Sequence, residues 1–169
     1  MKGRAIFLSV FLLSGAAQAQ SDDKTVQIGP WTIEASFTKE QKFDRCMMSR
    51  TVDNGVTASF ARDNSGTALI MTSERWKLDS GKTYPVEFLA GKTSWKTDVT
   101  ATADTVRVAL TDERFNKALR NANRLDVKGA GATISVPLDK SAAALARLES
   151  CYENNKNASE TNPFEAPKP

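Results

Sequence analysis

From Trp31 onward the chain is written in period two. Trp31, Ile33, Ala35 and Phe37 alternate with Thr32, Glu34 and Ser36, which predicts a strand with one buried face. A second strand is predicted over residues 43–52, with Cys46 and Met48 on the same side. Asp53-Asn54-Gly55 tolerates positive φ and turns the chain back into a strand over 56–62. Asp63-Asn64-Ser65-Gly66 is another turn cluster. The run Ala68-Leu69-Ile70-Met71 within 67–73 then predicts a central strand covered on both faces. Three consecutive antiparallel strands follow from these two turns.

The middle of the chain keeps the same period. Tyr84, Val86 and Phe88 alternate around Glu87, and Ala90-Gly91-Lys92 reverses direction. Trp95, Thr97, Val99, Ala101 and Ala103 share one face, with Lys96, Asp98, Thr100 and Thr102 on the other. Asp104 makes the turn before Val106, Val108 and Leu110. Pro85 has no amide to donate, so its strand should lie at an edge or begin there. Two further strands are expected around Leu125-Val127 and Ala132-Ile134-Val136, parted by Gly129 and Gly131.

Helical spacing occurs twice. Thr111 is the expected cap of a helix with Asp112 and Glu113 in its first turn and Phe115, Ala118, Leu119 and Ala122 as its apolar stripe. Asp139 or Ser141 is the expected cap of a second helix. Ala144, Leu145, Leu148 and Cys151 fall on its inner face. A Cys46–Cys151 disulfide would staple this helix to the second strand; two free thiols, or an intermolecular pair, are the alternatives.

Composition adds the setting. Lys2 and Arg4, an apolar stretch from Ile6 to Leu13, and Ala17-Gln18-Ala19 read as a secretory signal peptide over residues 1–19. No cysteine follows the cleavage site, which argues against a lipid anchor of the bacterial lipoprotein type. Residues 20–153 are expected to form one domain, in an oxidising compartment such as the periplasm or the cell surface. Residues 154–169, with three prolines and no period, read as a disordered tail. Loss of Lys2 and Arg4 takes 23 basic side chains to 21, against 20 acidic. A near-neutral exported chain is not expected to bind nucleic acid.

The chain has no histidine, which removes the commonest general base and metal ligand. Gly81-Lys82-Thr83 and Gly91-Lys92-Thr93 resemble the end of a phosphate loop. Trp76 and Val86 stand where its first glycine is required, so both read as strand-opening turns. Ser36-Phe37-Thr38-Lys39 has serine–lysine acylase spacing, but on a strand instead of a helix start. Asp63-Asn64-Ser65-Gly66 lacks the remaining ligands of a calcium loop, and Asn157-Ala158-Ser159 reads as a chance sequon. Arg45 and Arg50 form either a small basic patch or an ordinary solvated strand face. Trp31 and Trp95 are expected in the core. Trp76, flanked by Arg75 and Lys77, is the candidate binding residue: an amphipathic ring beside basic neighbours can anchor a partner. The alternative is that Trp76 folds back on the core beside Leu78.

Three segments together resemble the invasion associated locus B family of exported alpha-proteobacterial proteins. They are Trp31-Thr32-Ile33, the cysteine strand Asp44-Arg45-Cys46-Met47-Met48-Ser49, and Ile134-Ser135-Val136-Pro137-Leu138 ahead of Ala142-Ala143-Ala144-Leu145-Ala146-Arg147-Leu148. The chain departs from that family at Ala35, where members often have a further cysteine, and at Lys140-Ser141, where many have Gly-Phe. The resemblance implies a periplasmic or surface-associated β-sandwich, a host-contact role in some members, and no catalytic residue.

The expectation is therefore a mostly β protein: a small antiparallel β-sandwich or distorted barrel with two short helices, the C-terminal one pinned by the disulfide. It would be a non-catalytic periplasmic protein that binds an envelope or host protein or another envelope component. No cofactor, metal or membrane span in the mature chain is expected, and the oligomeric state is open. The rival readings are a small periplasmic enzyme inhibitor and, behind it, a carboxylate-based hydrolase.

Overall fold

The alternation resolves into ten antiparallel strands of one open sheet, joined by two helices, in the computed structural model, which describes residues 25–157. β1 (Thr25–Ile28), β2 (Trp31–Phe37), β3 (Phe43–Val52), β4 (Val56–Asp63) and β5 (Gly66–Thr72) form a simple meander. β6 (Thr83–Ala90), β7 (Thr93–Ala101) and β8 (Thr105–Ala109) form a second one, attached in reverse, so that β8 rather than β6 pairs with β5. β9 (Arg124–Gly129) then adds to β6, and β10 (Ala132–Pro137) to β9. α1 (Glu113–Asn121) follows β8, and α2 (Ser141–Asn155) ends the described chain. The expected signal peptide and most of the expected tail lie outside the described residues; α2 itself runs to Asn155.

The three-strand meander occurs as expected, and β5 is central: Leu69 and Met71 face the core, while Ala68 is buried and Ile70 half-buried on the other side. β1 extends the sheet one strand beyond the alternation that opens at Trp31. It enters β2 through Gly29, whose φ of +57° suits glycine, and a side chain there would also press on Lys140, 3.0 Å from the would-be Cβ.

Among the described residues no strand pairs with the outer edge of β10, yet the sheet curls until that strand lies over β3. Arg50 on β3 donates to the carbonyl of Pro137 at 2.8 Å and to Asp139 Oδ1 at 2.7 Å. Trp31 Nε1 donates to the Asp139 carbonyl at 3.0 Å, and the Arg50 guanidinium lies over the Trp31 ring, 5.3 Å from its centroid. The fold is thus a distorted barrel fastened at its seam by side chains rather than by a ladder. Arg50 belongs neither to a basic patch nor to a solvated face: its side chain is 13 % exposed and paired. Arg45 is bonded to its neighbour Asp44.

The seam also explains the second helix's start. Asp139 does not cap α2, because its carboxylate is held by Arg50. Ser141 does not cap it either, being the first helical residue and buried. Lys140, at φ 60°, makes the turn instead, with no side-chain cap. At α1 the cap is Asp112 rather than Thr111. Its Oδ1 accepts from Phe115 N at 2.7 Å, which satisfies an orphan amide of the first turn.

The hydrogen bond from Arg50, with the Arg50 charge behind it, holds the Asp139 carboxyl below its usual range despite the opposing effect of desolvation. A carboxyl depressed in the folded state contributes stability that is fully present above the unfolded value of 3.8 and is lost as pH falls through the folded value. Asp139→Asn should therefore reduce the acid-side slope of stability below about pH 4 and leave the neutral-pH slope unchanged. Urea titrations at stepped pH will show this; an unaltered acid limb would mean that the seam carboxylate is not coupled to folding.

The core fills around Trp31, Phe60, Phe88 and Phe115. Trp95 is half-buried, stacked on Phe88 at 5.4 Å and tilted against Phe115 at 5.5 Å. α2 lays Ala144, Leu145, Leu148, Cys151 and Tyr152 across β2, β3 and β4. There Cys46 and Cys151 form the disulfide, with Cα atoms 6.1 Å apart. The expected pinning of the C-terminal helix to the cysteine strand is present.

Candidate ligand-binding site

Topology dictates one unusual connection. β5 ends beside β8, but the next strand in sequence, β6, lies beyond both β8 and β7. Residues 73–82 must cover three strand spacings, about 14 Å, and they do so as a strap across one end of the barrel. Backbone bonds tie it to the β7–β8 turn: Ser73 N to Asp104 O (2.9 Å), Leu78 N to Ala103 O (2.8 Å) and Gly81 N to Ala101 O (2.8 Å). Ala101 N returns a bond to Lys82 O at 3.0 Å. The helix α1 begins at the opposite end of β5, where Leu110 N bonds Thr67 O.

Beneath the strap is a cavity of about 350 Å³, bordered almost wholly by carbon. Leu69, Met71, Phe88 and Val108 line it from the core side, and Val86, Val99, Val106 and Val127 from the surrounding strands. Trp76 and Leu78 of the strap, Tyr84, and Ala132 and Ile134 of β10 complete it. Arg107 also borders it, with its guanidinium engaged by Asp63 at 3.4 Å.

Two local features leave this space unfilled by the chain's own side chains. β6 and β9 pair only from Glu87 opposite Lys128 to Ala90 opposite Leu125. Pro85, lacking an amide, lies on the stretch of β6 that β9 does not reach, although β7 pairs with it there. β6 is thus an interior strand and not the sheet edge expected from Pro85, but its first residues, Pro85 among them, have β7 alone as a partner. The facing wall is the hairpin tip Gly129-Ala130-Gly131-Ala132, which offers nothing larger than a methyl group.

Trp76 is half-buried, packs against the core, and borders both this cavity and a neighbouring cleft that also touches Arg75, Ala132 and Ile134. Of the two expectations for it, the inward one describes its placement: the ring packs on the core and, with Leu78, lines the cavity. Arg75 and Lys77 are exposed at its flanks and make no ion pair among the described residues. Cys46 and Cys151 take no part in the site; they join β3 to α2. The sequence marks Leu78, Tyr84, Ala132 and Ile134 as core or strand positions and not as site residues. The Gly-Ala-Gly-Ala tip and the misplaced proline were the available signals.

The remaining motifs resolve into turns. Gly81 and Gly91 have φ of 82° and 60°. Asp63 Oδ1 accepts from Ser65 N at 2.8 Å, an ordinary Asx-turn. Ser36 lies on β2, as its alternation required. Among the described residues no three cysteine or acidic side chains gather as a metal site would need, and no helix is long and apolar enough to cross a membrane.

The fold and the site together define a disulfide-pinned, ten-stranded antiparallel barrel with an apolar pocket under an end strap. Invasion associated protein B from Bartonella henselae is a solved structure of similar fold. The two superpose with a TM-score of 0.55 over 77 % of this chain and 97 % of that one, at 19 % sequence identity. The likeness agrees in fold with the resemblance read from the three sequence segments. No protein-family model matches the sequence, and no curated protein does.

Proposed function

We propose that this chain is an exported, non-catalytic binding protein of the periplasm or cell surface, and that it binds an envelope component through the pocket under Trp76. The observation that carries this reading is the 350 Å³ apolar cavity roofed by Trp76. Half-enclosed apolar cavities of this size, with a few polar groups at the rim, are typical of ligand sites. The signal-like start of the sequence and the disulfide support export. The likeness to invasion associated protein B is consistent with that setting. The inhibitor reading gains nothing from the strap, because four backbone bonds tie it across the barrel end.

Tagged mature protein, captured from the periplasm of its own cells, should enrich a component that Trp76→Ala does not. Truncation of a half-buried indole should cost about 1–2 kcal/mol of stability, too little to unfold the domain. Identical eluates from the two proteins, each verified as folded by circular dichroism, would overturn the assignment of the site. A loss of stability large enough to unfold the variant would show instead that Trp76 is core; Trp76→Phe then serves for the comparison.

A further inference from the structure

We infer that the pocket takes the acyl chain of an anionic single-chain amphiphile, its head group held at the Trp76 strap by Arg75 and Lys77. The inference rests on the binding reading above and names the ligand class for that same site. Three observations carry it. The cavity wall is aliphatic and aromatic apart from two half-buried side chains that are already engaged, Arg107 by Asp63 and the Tyr84 hydroxyl by the Asp79 amide. A polar metabolite would lose its hydration there with nothing returned, whereas a hydrocarbon chain gains by burial. The volume, about 350 Å³, suits one chain rather than the paired chains of a diacyl lipid. The strap carries cations with no ion-pair partner among the described residues: Arg75 and Lys77 flank Trp76 and are exposed, with Glu74 beside them, while Asp79 is paired with Lys82. Arg75 also borders the cleft that shares Trp76, Ala132 and Ile134 with the pocket, so a carboxylate or phosphate emerging past the indole would meet it first. The indole, apolar in body and polar at its edge, belongs at such a boundary.

The test uses the full mature protein with its disulfide intact. Titration calorimetry with saturated fatty acids and with lysophosphatidylglycerols of 8 to 16 carbons, all below their micelle concentrations, should show Kd falling about fourfold per added methylene and then levelling once the pocket is full. Binding of the fatty-acid series alone would identify a free carboxylate as the head; binding of the phosphate series alone, a lysophospholipid; either supports the inference. Ala132 shares the inner face of β10 with Ile134 and Val136 and is exposed at the rim. Ala132→Trp should therefore narrow the pocket at its rim and weaken the longest chain at least about fifteenfold, the equivalent of two lost methylenes. Val106→Phe, which fills the pocket from β8, is the second variant should the first misfold. Arg75→Gln with Lys77→Gln should weaken the anionic ligands about fivefold and leave a fatty alcohol of equal length unaffected. Kd independent of chain length, or unaffected by a folded pocket-filling variant, would overturn the inference. If Trp76→Ala still loses a captured envelope component in that case, the site stands as a binding site and only the ligand class fails.

Discussion

Replacing Cys46 and Cys151 together with alanine should lower the unfolding free energy by about 2–5 kcal/mol and free α2 before the sheet opens. The bridge spans 105 residues of sequence. Closing a loop of about 100 residues removes roughly 4.7 kcal/mol of unfolded-chain entropy in the simplest treatment, an upper figure. Local structure says where the loss should appear. α2 starts without a side-chain cap and has no acidic residue in its first turn, so its own ends contribute little to holding it. What keeps it in place is an apolar stripe on β2–β4, the bond to β3, and polar ties near its end, where Glu149 pairs with Arg62 at 3.2 Å and the Tyr152 hydroxyl donates to Asn64 at 2.9 Å. Hydrogen exchange on the double variant should show α2 amides opening well ahead of those in β3, β4 and β5. Equal protection throughout, with stability within about 0.5 kcal/mol of the parent, would show that packing alone fixes the helix.

Much of this arrangement was legible from the sequence because it depends on period two. β2 and β3 occur over the predicted residues, and β7 buries Val99 and Ala101 while exposing Lys96, Asp98 and Thr100 as the alternation required. The inward placement of Cys151 beside Ala144 and Leu148 followed from helical spacing, and the disulfide from the two inward cysteines. Strand order was a different matter. That β8 rather than β6 joins β5 depends on pairings such as Ala68 with Ala109, far apart in sequence, and local pattern carries no record of them. The strap, and with it the meaning of Trp76, is a consequence of that order. Residues 74–77 alternate with nothing, so the indole could be assigned to solvent or core only once its neighbours in space were known. The pocket was harder still, since it is made by missing bulk at Gly129-Ala130-Gly131-Ala132 and by pairing that stops short of Pro85. The caps failed for a reason of the same kind: Asp139 is a good cap by type, but a distant Arg50 had the stronger claim on its carboxylate.

That claim makes Trp31 the residue whose loss should be felt most. Its ring is fully buried, tilted against Phe60 at 5.9 Å, and its Nε1 reaches the Asp139 carbonyl 108 residues away. It also lies beneath the Arg50 guanidinium, whose own Nε is buried without a hydrogen-bond partner, so the indole face is what offsets that group's lost hydration. Trp31→Ala should therefore cost about 3–5 kcal/mol by cavity formation alone, and more if Arg50 is left over an open space. Trp31→Phe separates the contributions. It keeps an aromatic surface under Arg50 and removes the donor, so it should cost about 1–2 kcal/mol, the loss of one part-buried hydrogen bond together with the smaller ring. Urea denaturation at neutral pH measures both. Because the bond joins β2 to the segment after β10, the Phe variant should also raise exchange at the β10 amides more than at β3, which keeps its ladders to β2 and β4. A Trp31→Phe protein as stable as the parent, with β10 unchanged in exchange, would mean that Arg50 fastens the seam unaided, and the pair of bonds it makes to Pro137 and Asp139 would then be the closure that matters.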